Sequence, residues 1–468
     1  MHGFLDRIFN PQKLVKKIPV SGELPGVPSL LSRTLRIAWP SLTESVLIGL
    51  VGMVDTMMVS TLGTYAIAAV GLTTQPKYIG LSFFLSLNVA VSALVARRRG
   101  ERDAESARQV LLQSLIITLA LTAVVSVLCV VFADPILRLA GSAPDTHEDA
   151  VLYFQIIMGG MVFNSVSMVI NAAQRGCGNT KIALRTNLAS NLVNIFFNYL
   201  LIGGNFGFPR LGVAGAAIAT VIGTVVACVM SILSVLHPHQ FLHLTCPKRI
   251  RFDRRTMGGL ANIGSSALAE QIFQRIGFFI SAIVVARLGT EPFATHQICM
   301  NVLNIAFCFG DGLSVASVAL VGQSMGEKRI DLAQIYGSIC QRIGFLISIL
   351  LGIVFFVFGR NIVGLFSSEP KILDDGAVLL DMMAFIVLLQ ISQVIFNGCL
   401  RGAGDTRFVA VVSLISVTFV RPFFSWLFCY PVGLGLVGAW VALLLDQLVR
   451  FLLSRYRFGS GKWSKIVI

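Results

Sequence analysis

The 468-residue sequence predicts an all-α polytopic membrane protein, with twelve transmembrane helices in two pseudo-symmetric six-helix lobes. Composition, the spacing of apolar runs and an internal repeat carry that expectation. Hydrophobic residues make up 55% of the chain and charged residues only 13%, about half the charged share of a soluble domain. Mean hydropathy is +0.80. These values exclude disorder, a coiled coil and a soluble enzyme with a polar surface. The net charge is +14, but the basic residues sit between apolar runs rather than on one face. That arrangement points to membrane topology and not to nucleic acid.

Residues 1–36 contain Pro11, Pro19, Pro25 and Pro28 and no continuous apolar stretch. They read as a cytoplasmic lead-in rather than a cleavable signal peptide. Apolar runs then follow at 37–62, 67–96, 109–134, 148–173, 183–203 and 211–236, and at 258–287, 292–322, 335–359, 376–399, 408–430 and 435–456. Each is long enough to cross ~30 Å of hydrocarbon. A lipid-exposed backbone must satisfy its own polar groups, so runs of this length are helices. Basic residues cluster in alternate connections, as in Arg97–Arg99 with Arg102 and in the "KRIRFDRR" stretch, whereas the opposite loops, such as "SAPDTHED", are acidic or neutral. The positive-inside rule then places both termini in the cytoplasm. The nine cysteines are scattered without a C-x-x-C pair, so neither disulfides nor a metal framework is expected.

The two halves repeat. "RGCGNT" at 175–180 returns as "RGAGDT" at 401–406, Gly63 as Gly289, Gly100 as Gly326 and Glu44 as Glu270, all at an offset of 226. Matching loops fall on the same side, so the repeat holds an even number of spans and is of the parallel transporter type. The expected organisation is a lead-in at 1–36, an N-lobe at 37–236, a cytoplasmic linker at 237–257, a C-lobe at 258–456 and a cytoplasmic tail at 457–468.

"WPSLTESVLIGLVGMVDTMMVSTLG", "QRGCGNTK", "NLVNIFFNYLLIGGNFGFPRLGVAGAAIAT", "VALVGQSMGE" and "LRGAGDTR" resemble the multidrug and toxic compound extrusion (MATE) family, in order and from about 37 to 456. The resemblance implies a V-shaped secondary antiporter that exports organic cations, drugs and dyes against entering Na+ or H+. A lipid-linked oligosaccharide flippase of the wider superfamily is the alternative. It would favour fourteen spans and a cationic cavity. An intramembrane enzyme is less favoured, because no clustered catalytic set is evident; a channel is disfavoured for want of a filter-like repeat.

Acidic residues inside spans cost ~2.5–3.5 kcal/mol to insert and are functional candidates by default. Asp55, in "GMVDTMMVS", lies ~10 Å below the outer end of span one. Asn194 and Asn198 are one helical turn apart on span five, and Thr220 lies at a comparable depth on span six. A carboxylate with amide and hydroxyl oxygens suits a small cation, or the carboxyl exchanges a proton. The resemblance makes Asp55 the N-lobe cation-coupling residue and Asn194, Asn198 and Thr220 its neighbours, with Asn171 a further candidate. Asn198 is aspartate in one branch of the family, so this chain has one acid fewer there. In the C-lobe, Glu270 and Gln274 share a face of span seven, and the resemblance assigns Glu270 to substrate contact or proton exchange. Pairing with Arg275 or Gln271 is the structural alternative. Gln390 stands where one branch places a second acid.

Elsewhere, Glu44 reads as a cytoplasmic-side gate or helix contact, and Asp446 with Arg450 as a helix-end ion pair. Lys77, next to Pro76, lines a cavity or fills the gap left by a kink. "GLGLVG" at 433–438 opens an apolar span with no strand before it, so it is not a dinucleotide loop. His237, His239, His243 and Cys246 match no zinc spacing. No cofactor is expected, and no metal beyond Na+ at Asp55. Small organic cations and membrane lipid are the expected partners of a monomer in the cell's inner (plasma) membrane.

Overall fold

A computed structural model describes residues 9–15, 18–142, 144, 146–237, 240–244 and 253–466. No strand occurs among the described residues. After a short turn of helix at Pro11–Leu14, the chain forms α1 (Val27–Ser60), α2 (Thr64–Gly100), α3 (Ala104–Val131), α4 (Ala133–Leu139), α5 (His147–Gly159), α6 (Met161–Gly176), α7 (Thr180–Gly203) and α8 (Gly212–Leu236). The second half forms α9 (Arg254–Ala286), α10 (Thr290–Gly326), α11 (Ile330–Gly364), α12 (Pro370–Ala403), α13 (Thr406–Ser413), α14 (Arg421–Cys429) and α15 (Gly435–Gly459).

Among the described residues, ten helices can cross a membrane by length and composition, counting Thr406–Cys429 as one, and the pair α5–α6, bent by 46°, makes an eleventh. The chain is a multi-pass membrane protein. The remaining expected span, 183–203, forms as α7, whose Lys181, Arg185, Asn187, Asn191, Asn194 and Asn198 keep it outside that count.

The first helix starts at Val27, ten residues before the apolar run that predicted it, because 27–36, in which serine, threonine and arginine break up the leucines, continues the same helix. The lead-in is not a free segment. Phe9 and Leu14 are buried in the large apolar cluster of the C-terminal half, and Arg329 Nη2 donates to the Glu23 carbonyl at 3.0 Å.

Two compact units emerge: Leu47–Gly264, and Ser265–Ile468 together with the chain up to Val46. In the first, α8 packs along α7. A Cβ on Gly223 would lie 2.8 Å from the Ser190 carbonyl, so only glycine lets the two backbones approach this closely. In the second, span eleven is interrupted by a π-helical segment, Leu414–Val420, between α13 and α14. It lies against α9 at Gly277, where a Cβ would meet the Val417 carbonyl at 2.0 Å. Thr418 Oγ1 donates to the Phe273 carbonyl at 2.9 Å alongside. π-Bulges of this kind gather at functional sites.

Candidate functional site

Four of the sequence-selected residues converge in the first unit. Asn198 Nδ2 donates to Asp55 Oδ1 at 2.9 Å and to Asn194 Oδ1 at 3.2 Å. Asn194 Nδ2 donates to Thr220 Oγ1 at 3.1 Å, and Thr220 Oγ1 in turn donates to the Ala216 carbonyl at 2.9 Å. Turned over, the amide of Asn194 gives up the bond from Asn198, and its nitrogen donates to Asp55 Oδ1 at 2.7 Å while its oxygen accepts from Thr220 N–H and Oγ1 at 3.1 Å. Asn194 and Asn198 are buried, while Asp55 and Thr220 are part-buried. Asn198 Oδ1 is buried with no hydrogen-bond partner, an open acceptor beside the carboxylate. The helical i, i+4 spacing on α7 stacks the two amides, and the Gly223 contact brings Thr220 on α8 against them.

Two neighbours complete the group. Lys77 on α2 and the buried Tyr153 on α5 both interact electrostatically with Asp55. α2, which carries Lys77, continues through Pro76 as one helix. Tyr153 was invisible in the sequence: it lies in an ordinary amphipathic stretch, and only the fold brings α5 to α1.

Asn171 is not part of this group. Its Oδ1 accepts from Ser231 Oγ at 3.2 Å and its Nδ2 donates to Ser167 Oγ at 3.4 Å, so α6 and α8 are joined there by a separate polar contact.

In the second unit, Glu270 is 2% exposed and paired with Arg401 Nη2 at 2.5 Å, while Gln274 Nε2 donates to the same carboxylate oxygen at 3.1 Å. This partner, the arginine of the repeated "RGAGDT" motif, was not foreseen from the sequence. Gln390 is buried with its Oε1 unpartnered and has no hydrogen bond to Glu270. Asp446 and Arg450 do pair, at 2.6 Å, but in the middle of α15 rather than at a helix end, and both are buried. Ser416 Oγ donates to Asp446 Oδ1 at 2.6 Å, tying the pair to the π segment. Glu44 is buried, and Ser45 Oγ donates to Asp311 at 3.4 Å. Of the linker's histidines and cysteine, His239 and Cys246 lie outside the described residues, as do 248–252 of the basic stretch. Among the described residues no group of three His, Cys, Asp or Glu could hold a metal.

The family model MatE matches residues 40–200 and again 267–427, one block in each half. The uncharacterised transporter YisQ of Bacillus subtilis is 26% identical over 429 residues, covering 91% of this chain and 94% of that protein. The probable multidrug resistance protein NorM of Thermotoga maritima is 27% identical over 455 residues, covering 94% of each. A solved outward-facing multidrug resistance MATE family transporter of the MOP superfamily superposes with a TM-score of 0.86 at 22% identity, covering 92% of this chain and 96% of that one. The fold is thus that of the MATE transporters. With its two matched blocks spanning most of the sequence, the chain belongs to the MatE family.

Proposed function

We propose that the protein is a secondary antiporter that exports small organic cations, drugs among them, in exchange for entering H+ or Na+, by alternating access. Asp55 is the coupling residue, held by Asn198, Asn194 and Thr220. The observation that carries this reading is a single carboxylate inside the membrane with two amides directed at it and an unpartnered acceptor, Asn198 Oδ1, beside it. An acid kept at that cost needs a function.

Of the two ions, the proton fits better. One carboxylate next to the Lys77 ammonium offers little net negative charge to a metal cation. Asn194 can serve both protonation states. With its nitrogen inward it donates to the carboxylate; with its oxygen inward, at the same 2.7 Å, it accepts from the protonated acid, a normal O–H···O length. A proton on Asp55 thus turns one amide, which passes the change through Thr220 to α8. Coupling follows if ion and drug favour opposite states of the protein. Glu270, already neutralised by Arg401, is assigned to the C-lobe's internal arrangement rather than to the coupling ion. Relatives that are named transporters and multidrug resistance proteins support a non-enzymatic role. We further place the protein in the cell's inner (plasma) membrane as a monomer with both termini cytoplasmic.

Dye efflux from inverted membrane vesicles, with a pH gradient and a Na+ gradient imposed separately, tests the proposal. Efflux driven by the pH gradient and lost in Asp55→Asn is the expected result. Efflux in that variant at the wild-type rate would refute the assignment.

A further inference from the structure

Arg421 opens α14 directly after the π segment and is only 6% exposed. Its guanidinium lies over the Phe278 ring, 4.9 Å from the centroid. It makes no hydrogen bond or ion pair with any described residue. Asp446, whose charge acts on Arg421, is already committed to Arg450 at 2.6 Å and to Ser416. The two arginines and one aspartate therefore leave one buried positive charge unbalanced. An arginine inside a span costs about as much to insert as an acid, so this charge calls for an anion.

The surrounding groups are also unsatisfied. His296 on α10 interacts electrostatically with Arg421, and its Nδ1 has no partner. The His296 ring meets Trp440 of α15 edge to face at 5.9 Å, and Trp440 Nε1, a fully buried donor, is unpartnered too. Ser281 Oγ, one turn beyond Phe278 on α9, is a further buried orphan. Buried polar groups are nearly always paired, so several orphans near one uncompensated charge call for a polar partner.

The repeat adds an independent argument. The helices that supply these residues are spans seven, eight, eleven and twelve; those that supply the Asp55 group are mainly spans one, two, five and six. At the offset of 226, Ser281 stands in the place of Asp55, and Asn194 maps onto Val420, beside Arg421. The equivalent corner of the second half thus keeps its helices but exchanges a carboxylate for a guanidinium.

We infer that the C-terminal half binds a monovalent organic carboxylate, its two oxygens on the Arg421 guanidinium and its body against the exposed face of the Phe278 ring. Guanidinium suits a planar carboxylate because it presents paired donors in one plane, and the Phe278 ring favours an aromatic acid over an inorganic ion.

The test uses the purified full-length protein in neutral-headgroup detergent. Sodium benzoate is titrated against sodium methanesulfonate at constant ionic strength, and thermal unfolding and tryptophan fluorescence are followed. A ligand bound only to the folded state raises the melting temperature saturably. Benzoate should do so in the wild type, and Arg421→Gln should weaken it by about tenfold or more, as expected when a charge-assisted bond is lost. If Arg421→Gln does not fold, Phe278→Leu decides: weaker benzoate binding supports the site, and unchanged binding overturns it. Absence of a saturable benzoate response in the wild type, or an undiminished response in folded Arg421→Gln, overturns the inference. Tighter binding of chloride than of benzoate overturns the carboxylate assignment. Binding is read without any gradient, so its outcome is independent of the role of Asp55.

Discussion

Asp55 and its two amides form a small unit in which one proton changes the hydrogen-bond demand of a whole turn of α7. Asn194→Leu keeps the bulk but removes the group that answers both states of the carboxyl. Efflux in vesicles should fall sharply while the amount of inserted protein stays constant, and growth on a dye with immunoblotting of membranes checks both. The Glu270–Arg401 pair behaves differently. Removing one partner strands the other charge, at a cost of about 3–5 kcal/mol. Glu270→Gln and Arg401→Gln should each lower thermal stability more than the double substitution does, and a melting series over the four proteins measures the coupling. At this scale, the Asp55 quartet was legible because an acid in an apolar run is conspicuous and helical spacing aligns its neighbours. Tyr153 and Arg401 were not, since tertiary approach alone brings them near their acids, and Asn171, close to the loop end of α6, bonds to Ser167 and Ser231 instead of joining the quartet.

The helices obey local rules that substitutions can test. Asp103 caps α3: Ser106 Oγ and N–H donate to its carboxylate at 2.6 and 2.9 Å and hold it below the usual carboxylate range. A depressed folded-state pKa stabilises above the unfolded value of about 3.9 and is lost as pH falls through the folded value. Asp103→Ala should therefore cost about 1 kcal/mol at neutral pH, with the gap from wild type closing in acid; melting curves across pH read it. Gly277→Ala would drive a methyl group into the Val417 carbonyl, and overpacking against backbone costs about 1–3 kcal/mol or more. A lower melting temperature and reduced folded yield are expected, and an unchanged melting temperature would show that α9 can retreat. Helix existence was readable from runs of apolar residues. The 46° bend at Gly160, where a Cβ would meet Val221 at 2.6 Å, and the π segment were hidden, because each follows from how neighbouring helices press together.

For the whole molecule, the repeat was the most informative sequence signal, and the family model finds it independently as one block in each half. The span number was less secure: the asparagine-rich α7 falls outside the count of apolar helices, yet it supplies two residues of the Asp55 group. If coupling runs through protons, dissipating the pH gradient with an ionophore should stop efflux in sealed vesicles whatever the Na+ gradient, and persistence under Na+ alone would reverse the choice of ion. The π segment at Leu414–Val420 has one further consequence. α7, its counterpart in the first half, is plain α-helix throughout, so the halves differ in backbone winding as well as in side chains. Restoring matching residues by mutagenesis would therefore not make them interchangeable, and a protein built from two tandem copies of the first half would lack the winding that aims position 421 inward.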